Sequence, residues 1–141
     1  MYSFIKKPVN RDAEISEKIS EIEEKYSITI PEVLRDLYFQ IDDGYIRPCY
    51  FYVDGDLYGV QALVPILGEK MNFEWLVDNN LEDGYYPDNL YPIAYDAGGA
   101  KYFWEDGTGK VFFSSDPEYI YLISGNIENF LDMLDNADHD F

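Results

Sequence analysis

Residues 91–113 read YPIAYDAGGAKYFWEDGTGKVFF. The fold turns on whether this stretch is a catalytic loop, a phosphate cradle, or strands joined by turns. A P-loop needs Gly-x4-Gly-Lys-Ser/Thr between a strand and a helix, so that backbone amides wrap the phosphates. Gly98-Gly99-Ala100-Lys101 lacks the first glycine at that distance, and Lys101 leads into the strand-like Tyr102-Phe103-Trp104. Glu105-Asp106-Gly107-Thr108 is similar to the Asp-x-Asp-Gly-Thr of phosphatases with an aspartyl nucleophile. Here Trp104 stands at the nucleophile's position, and it cannot form an acyl phosphate. Asp-Gly pairs favour turns, and glycine reaches positive φ without a Cβ penalty. The stretch is therefore read as a strand over 91–95, a turn in which Asp96 is a structural carboxylate beside Gly98 and Gly99, and a hairpin. The hairpin pairs 101–104 with 110–113 around Asp106-Gly-Thr-Gly109.

Working outward, residues 46–67 are rich in aromatic and β-branched types, with Asp54-Gly55-Asp56 as a hairpin turn. A calcium loop at that turn would need several alternating oxygens and a distal bidentate Glu, whereas Tyr58 follows. Pro65 argues for a break. Ile15, Ile19, Ile22 and Tyr26 share one face of a helix over 11–26, with Asn10 or Asp12 as cap. A second helix is expected over 30–42, opened by a Thr29/Glu32 capping box and stopped at Gly44. A short helix over 72–79, an exposed loop over 79–89, a strand over 119–123 and a terminal helix capped by Asn126 complete the chain. Helices segregated from hairpin-linked strands define an α+β domain with a mostly antiparallel sheet. A single domain of 141 residues is expected, with its core over about 11–134 and a mobile acidic tail over 135–141.

Composition narrows the chemistry. Cys49 is the only cysteine, so an internal disulfide and a cysteine-rich zinc site are excluded. The only histidine, His139, lies in the expected tail, so a Cys–His nucleophile is disfavoured and Cys49 is read as structural. No metal site, cofactor site or catalytic residue emerges: the serines match no Gly-x-Ser-x-Gly, and no carboxylate pair is singled out. No run of about 18 apolar residues is present to span a membrane, and no signal peptide is apparent. A cytoplasmic protein is expected. With 28 acidic against 10 basic residues, the net charge is −18. Such a field repels nucleic acid and anionic lipid and attracts basic proteins. Fourteen tyrosines exceed what a small core hides, and exposed tyrosine beside acids suits a protein interface.

The order of several short segments carries a resemblance. Ile22-Glu23-Glu24-Lys25-Tyr26 leads to Ile30-Pro31-Glu32-Val33-Leu34 and then Asp42-Asp43-Gly44. Tyr91-Pro92-Ile93-Ala94-Tyr95-Asp96-Ala97-Gly98-Gly99, Gly109-Lys110-Val111-Phe112-Phe113 and Asn126-Ile127-Glu128-Asn129-Phe130-Leu131 follow. Together they resemble the SUKH superfamily over roughly residues 14–134. That superfamily includes a yeast cell-wall-synthesis regulator and many bacterial immunity proteins. The chain departs from the pattern at Ile30, at Asp42-Asp43, at Ala97 and Ala100, and at Asn126-Ile127. The resemblance implies an immunity protein that binds a cognate, basic toxin domain such as a nuclease, without catalysis or cofactor. The alternative it implies is a non-catalytic adaptor with a host protein partner. The protein would act as a monomer or homodimer. The residues expected to meet the toxin are Asp42, Asp43, Asp54, Asp56, Glu82, Asp83, Tyr85, Tyr86 and Asp88, the acids and aromatics of predicted turns and of the 79–89 loop.

Overall fold

The stretch that opens the sequence reading is strand, turn and hairpin. In a computed structural model, which describes residues 2–6, 11–41, 45–68 and 71–139, it forms β3 (Leu90–Tyr95), β4 (Lys101–Glu105) and the start of β5 (Val111–Asp116). The remaining elements are α1 (Asp12–Tyr26), α2 (Glu32–Gln40), β1 (Tyr45–Val53), β2 (Asp56–Leu63), α3 (Phe73–Asp83), β6 (Tyr119–Ser124) and α4 (Ile127–Asp135). The six strands form one antiparallel sheet in sequence order, β1 to β6. This is the expected α+β domain, with helices at both ends of the chain.

Local chemistry sets most of the turns. Asp54 and Gly55 both have positive φ, 52° and 86°, as a two-residue hairpin of the twisted type requires. The Asp96 carboxylate accepts hydrogen bonds from the amides of Gly98 and Ala100, each at 2.9 Å, and Gly99 has φ 91°. Asn126 caps α4 by accepting from the Asn129 amide at 2.7 Å.

The N-terminal helices start differently from the sequence expectation. Arg11 and Pro31 stand at the N-caps of α1 and α2 without side-chain cap bonds. Glu23 supplies the acceptor instead, taking the Ile30 amide at 2.8 Å across the turn between the helices. Asn10 and the expected stop at Gly44 lie outside the described residues.

α3 is longer than the 72–79 expected. Asn72 caps it by accepting from Trp75, and nothing in 79–83 breaks the helix before Gly84 takes the left-handed C-cap at φ 71°. Glu82 and Asp83 are therefore helical, and only 84–89 forms the loop.

The sheet curls around α4, which touches β1 and β6 at opposite ends of the strand order and also meets α2. Phe130 is fully buried, with ring centroids 5.5 Å from Tyr102 and 6.4 Å from Phe51. Tyr102 is buried too and donates its hydroxyl to the Gly59 carbonyl at 2.8 Å.

Both chain ends clasp β1. Ile5 bridges to Ile46, and Asp138 bridges to Tyr50. Arg47 donates to the carbonyls of Ser3 and Ile5. Residues 136–139, expected in a mobile tail, are thus held by backbone pairing. They bring His139 Nδ1 to 3.8 Å from Cys49 Sγ. This proximity corrects the expectation that His139 lies in a mobile tail away from Cys49. The chemistry of the pair stays structural. The thiol donates to the Arg47 carbonyl, Nδ1 faces the Pro48 carbonyl at 3.0 Å, and burial, helped by Asp135, pushes the Cys49 thiol up to about 12.

An ion cluster fastens α1 to α3. Lys18 pairs with Glu74, Lys25 reaches Glu74 and Asp78 at 3.2 and 2.9 Å, and Tyr26 donates to Asp78 at 2.7 Å. Hydrogen bonds from Lys18 and then Lys25 lower the Glu74 carboxyl below its ordinary 4.5, against some desolvation. A carboxylate lowered in the folded state stabilises it above the unfolded value, and that contribution is lost as pH falls through the folded one. Glu74→Gln is therefore expected to cost about 1 kcal/mol at pH 7. It should also flatten the loss of stability below about pH 4.5, which urea titrations from pH 7 down to pH 3 would record. An unchanged acid limb would show that the cluster contributes nothing.

Candidate protein-binding surface

Side chains alternate across a sheet, so the strand register sorts the aromatics onto two faces. Phe51, Tyr58, Tyr102, Phe113 and Tyr121 lie on the α4 side, as their pairings and ring contacts show. Phe103, Phe112 and Leu122 are paired in a row on the opposite, outer face.

The outer face is partly covered by α3 and the 84–89 loop. Asn80 fastens the loop by accepting from the Tyr86 amide at 2.9 Å and donating to its carbonyl at 3.2 Å. The Tyr86 ring lies 4.6 Å from that of Phe103, and its hydroxyl is 3.2 Å from Ser114 Oγ. A hollow of about 200 Å³ remains between Trp75, Asp83, Tyr85, Tyr86, Lys101 and Phe103. A second, shallower hollow shares Leu90 with it and continues to Phe112 and Ile120.

The described residues singled out from sequence fall in two places. Asp83, Tyr85 and Tyr86 line the first hollow, with Glu82 and Asp88 exposed on the same segment. Asp54 and Asp56 stand at the β1–β2 hairpin. Asp56 borders a separate hollow of about 360 Å³ with Tyr58, Asp96, Phe113 and Tyr121. Burial, then Asp56, Tyr121 and Asp54, raises the Tyr58 hydroxyl above its ordinary value, so it remains a neutral donor. Asp42 and Asp43 lie outside the described residues.

The strand over 119–123 is found as expected, but sequence reasoning did not place Trp75 or the β6 side chains among the surface candidates. Trp75 is 48% exposed, and Tyr119, Tyr121 and Leu122 are 50–56% exposed. A signal existed in the charge distribution. Residues 1–47 hold seven Lys or Arg against ten acids, whereas residues 48–141 hold three against eighteen. Nearly all the excess charge therefore falls on the part that builds the sheet.

Among the described residues, no group of three or more His, Cys, Asp or Glu could hold a metal ion. No helix among them is long and apolar enough to cross a membrane. What the surface offers is contact: rigid tyrosines and aliphatic side chains in shallow hollows, rimmed by carboxylates. Large amphipathic rings of this kind provide contact area at low entropic cost.

Fold and surface together define a small acidic α+β domain with exposed aromatic side chains. The chain belongs to the SMI1 / KNR4 family (SUKH-1), whose model matches residues 16–133. The family is generally non-catalytic. No curated protein matches the chain.

Proposed function

We propose that this protein is an immunity protein, which binds a cognate basic toxin domain, such as a nuclease, and neutralises it by occupying or shielding the surface that meets its substrate. The observation that carries the reading is the exposed aromatic surface with an acidic rim, on a chain of net charge −18. A toxin that grips phosphates carries a basic groove. Opposite fields speed the encounter of such partners, and aromatic contacts slow their separation. The family supports a protein partner. It equally accommodates an adaptor role, with a host protein in place of the toxin.

The test is calorimetric titration with the C-terminal domain of any large secreted protein whose gene neighbours this one, at low and high salt. Nanomolar binding that weakens with salt is expected. Reversing Glu82, Asp83 and Asp88 together to lysine is expected to weaken binding about 10–100-fold at low salt and less at high salt. Unchanged affinity would remove this segment from the interface. Absence of binding by the native protein would sink the immunity reading.

A further inference from the structure

The two edges of the sheet are treated differently. The β1 edge is covered by both chain ends, through the Ile5–Ile46 and Tyr50–Asp138 bridges. The β6 edge pairs only with β5, and among the described residues no other segment forms backbone hydrogen bonds to it. An open edge presents unpaired N–H and C=O groups. Proteins usually blunt it with lysine, proline, a β-bulge or a covering segment. Residues 119–124 read YIYLIS and contain neither lysine nor proline. The irregularities of the β5–β6 ladder stand on either side of the Phe112–Leu122 and Phe113–Tyr121 pairs, which remain in register.

Both faces beside this edge carry exposed aromatic or aliphatic side chains. Tyr119 and Tyr121 are 56% and 50% exposed, and Tyr121 borders the hollow that holds Phe113 and Tyr58. Ile120 and Leu122 are 36% and 53% exposed, next to Phe112. A strand laid against β6 would cover side chains above and below the sheet while pairing its own backbone, as strand addition requires.

Charge selects the occupant. Asp116 and Glu118 lead into β6, and from Val111 to Phe141 there is no Lys or Arg against seven acids. A second copy would bring like charges together and double a net charge of −18. A basic chain meets complementary charge.

We propose that β6 is the docking edge for an extended strand of the basic toxin domain, with apolar side chains over Tyr121 and Leu122 and flanking Lys or Arg toward Asp116 and Glu118. This rests on the immunity reading and adds the place and manner of contact.

The test uses the full chain and the toxin domain that the calorimetric titration identifies as its partner. Hydrogen exchange of the 119–124 amides is measured free and bound, together with the affinity of the I120K/L122K variant and its melting curve. Both substitutions fall at exposed positions. Exchange slowed at least tenfold in the complex and affinity lowered at least 100-fold in the variant are expected. Toxin binding with unchanged β6 exchange would overturn this proposal and leave the immunity reading standing. The exchange result on the native chain decides alone if the variant does not fold. No binding of the native chain would overturn both. A concentration-dependent dimer in sedimentation, protected at 119–124 without toxin, would assign the edge to a second copy and overturn the choice of partner.

Discussion

Phe130→Ala is expected to lower the unfolding free energy by about 3–5 kcal/mol. Phe130 is fully buried on α4 and is the side chain around which the curled sheet closes. It meets Tyr102 from the middle of the sheet and Phe51 from β1, on a helix that also touches β6. Removing the ring forfeits its transfer energy and leaves a cavity, because the flanking rings belong to different strands and cannot all move inward. Domains of this size have a total stability of about 5–15 kcal/mol. The variant should therefore melt about 10 °C lower or more. Urea denaturation checks this through a lower midpoint with an unchanged slope. Phe130→Leu should recover more than half of the loss, since it refills most of the volume. A loss below about 1 kcal/mol for alanine would mean that α4 does not close the sheet.

Asp96→Ala is expected to cost about 2 kcal/mol, because one carboxylate oxygen takes the amides of Gly98 and Ala100. Asp96→Asn keeps an acceptor and should lose about half as much. The two glycines that follow should behave differently. Gly99 has φ 91°, so Gly99→Ala is strained, by about 1 kcal/mol. Gly98 does not share that conformation, and a Cβ there would lie 3.5 Å from the Asp96 carboxylate, an ordinary contact, so Gly98→Ala should be nearly neutral. Thermal melts of the four variants check the order. A neutral Asp96→Ala would mean that the carboxylate does not hold the turn and is available to the neighbouring hollow.

Turns are legible in the chain and surfaces are not. The Asp54-Gly55 hairpin, the turn at Asp96, the hairpin around Gly107 and Gly109 and the Asn126 cap were all readable. Each is settled within a few residues, by a positive φ or a short side chain bonding to a nearby amide. The buried faces of α1 and α4 were readable for a similar reason, since helical period alone groups Ile15, Ile19 and Ile22, or Ile127, Phe130, Leu131 and Leu134. The helix starts were less so. Glu23 stands seven residues before the amide it bonds, beyond any capping pattern.

By itself, then, the sequence determined the α+β class, the antiparallel strands and their turns, the family resemblance and the acidic excess. Tertiary structure alone decided which apolar residues face outward. A run such as Tyr119-Ile-Tyr-Leu-Ile123 has the same composition whether neighbours cover it or not. Only the strand order, with β6 last, leaves four of its side chains at least 36% exposed. The clasp of β1 by Ile5 and Asp138, and the meeting of Tyr86 with Phe103, join residues far apart in the chain. Such contacts are set by packing and backbone pairing across the sheet, and no local propensity encodes them.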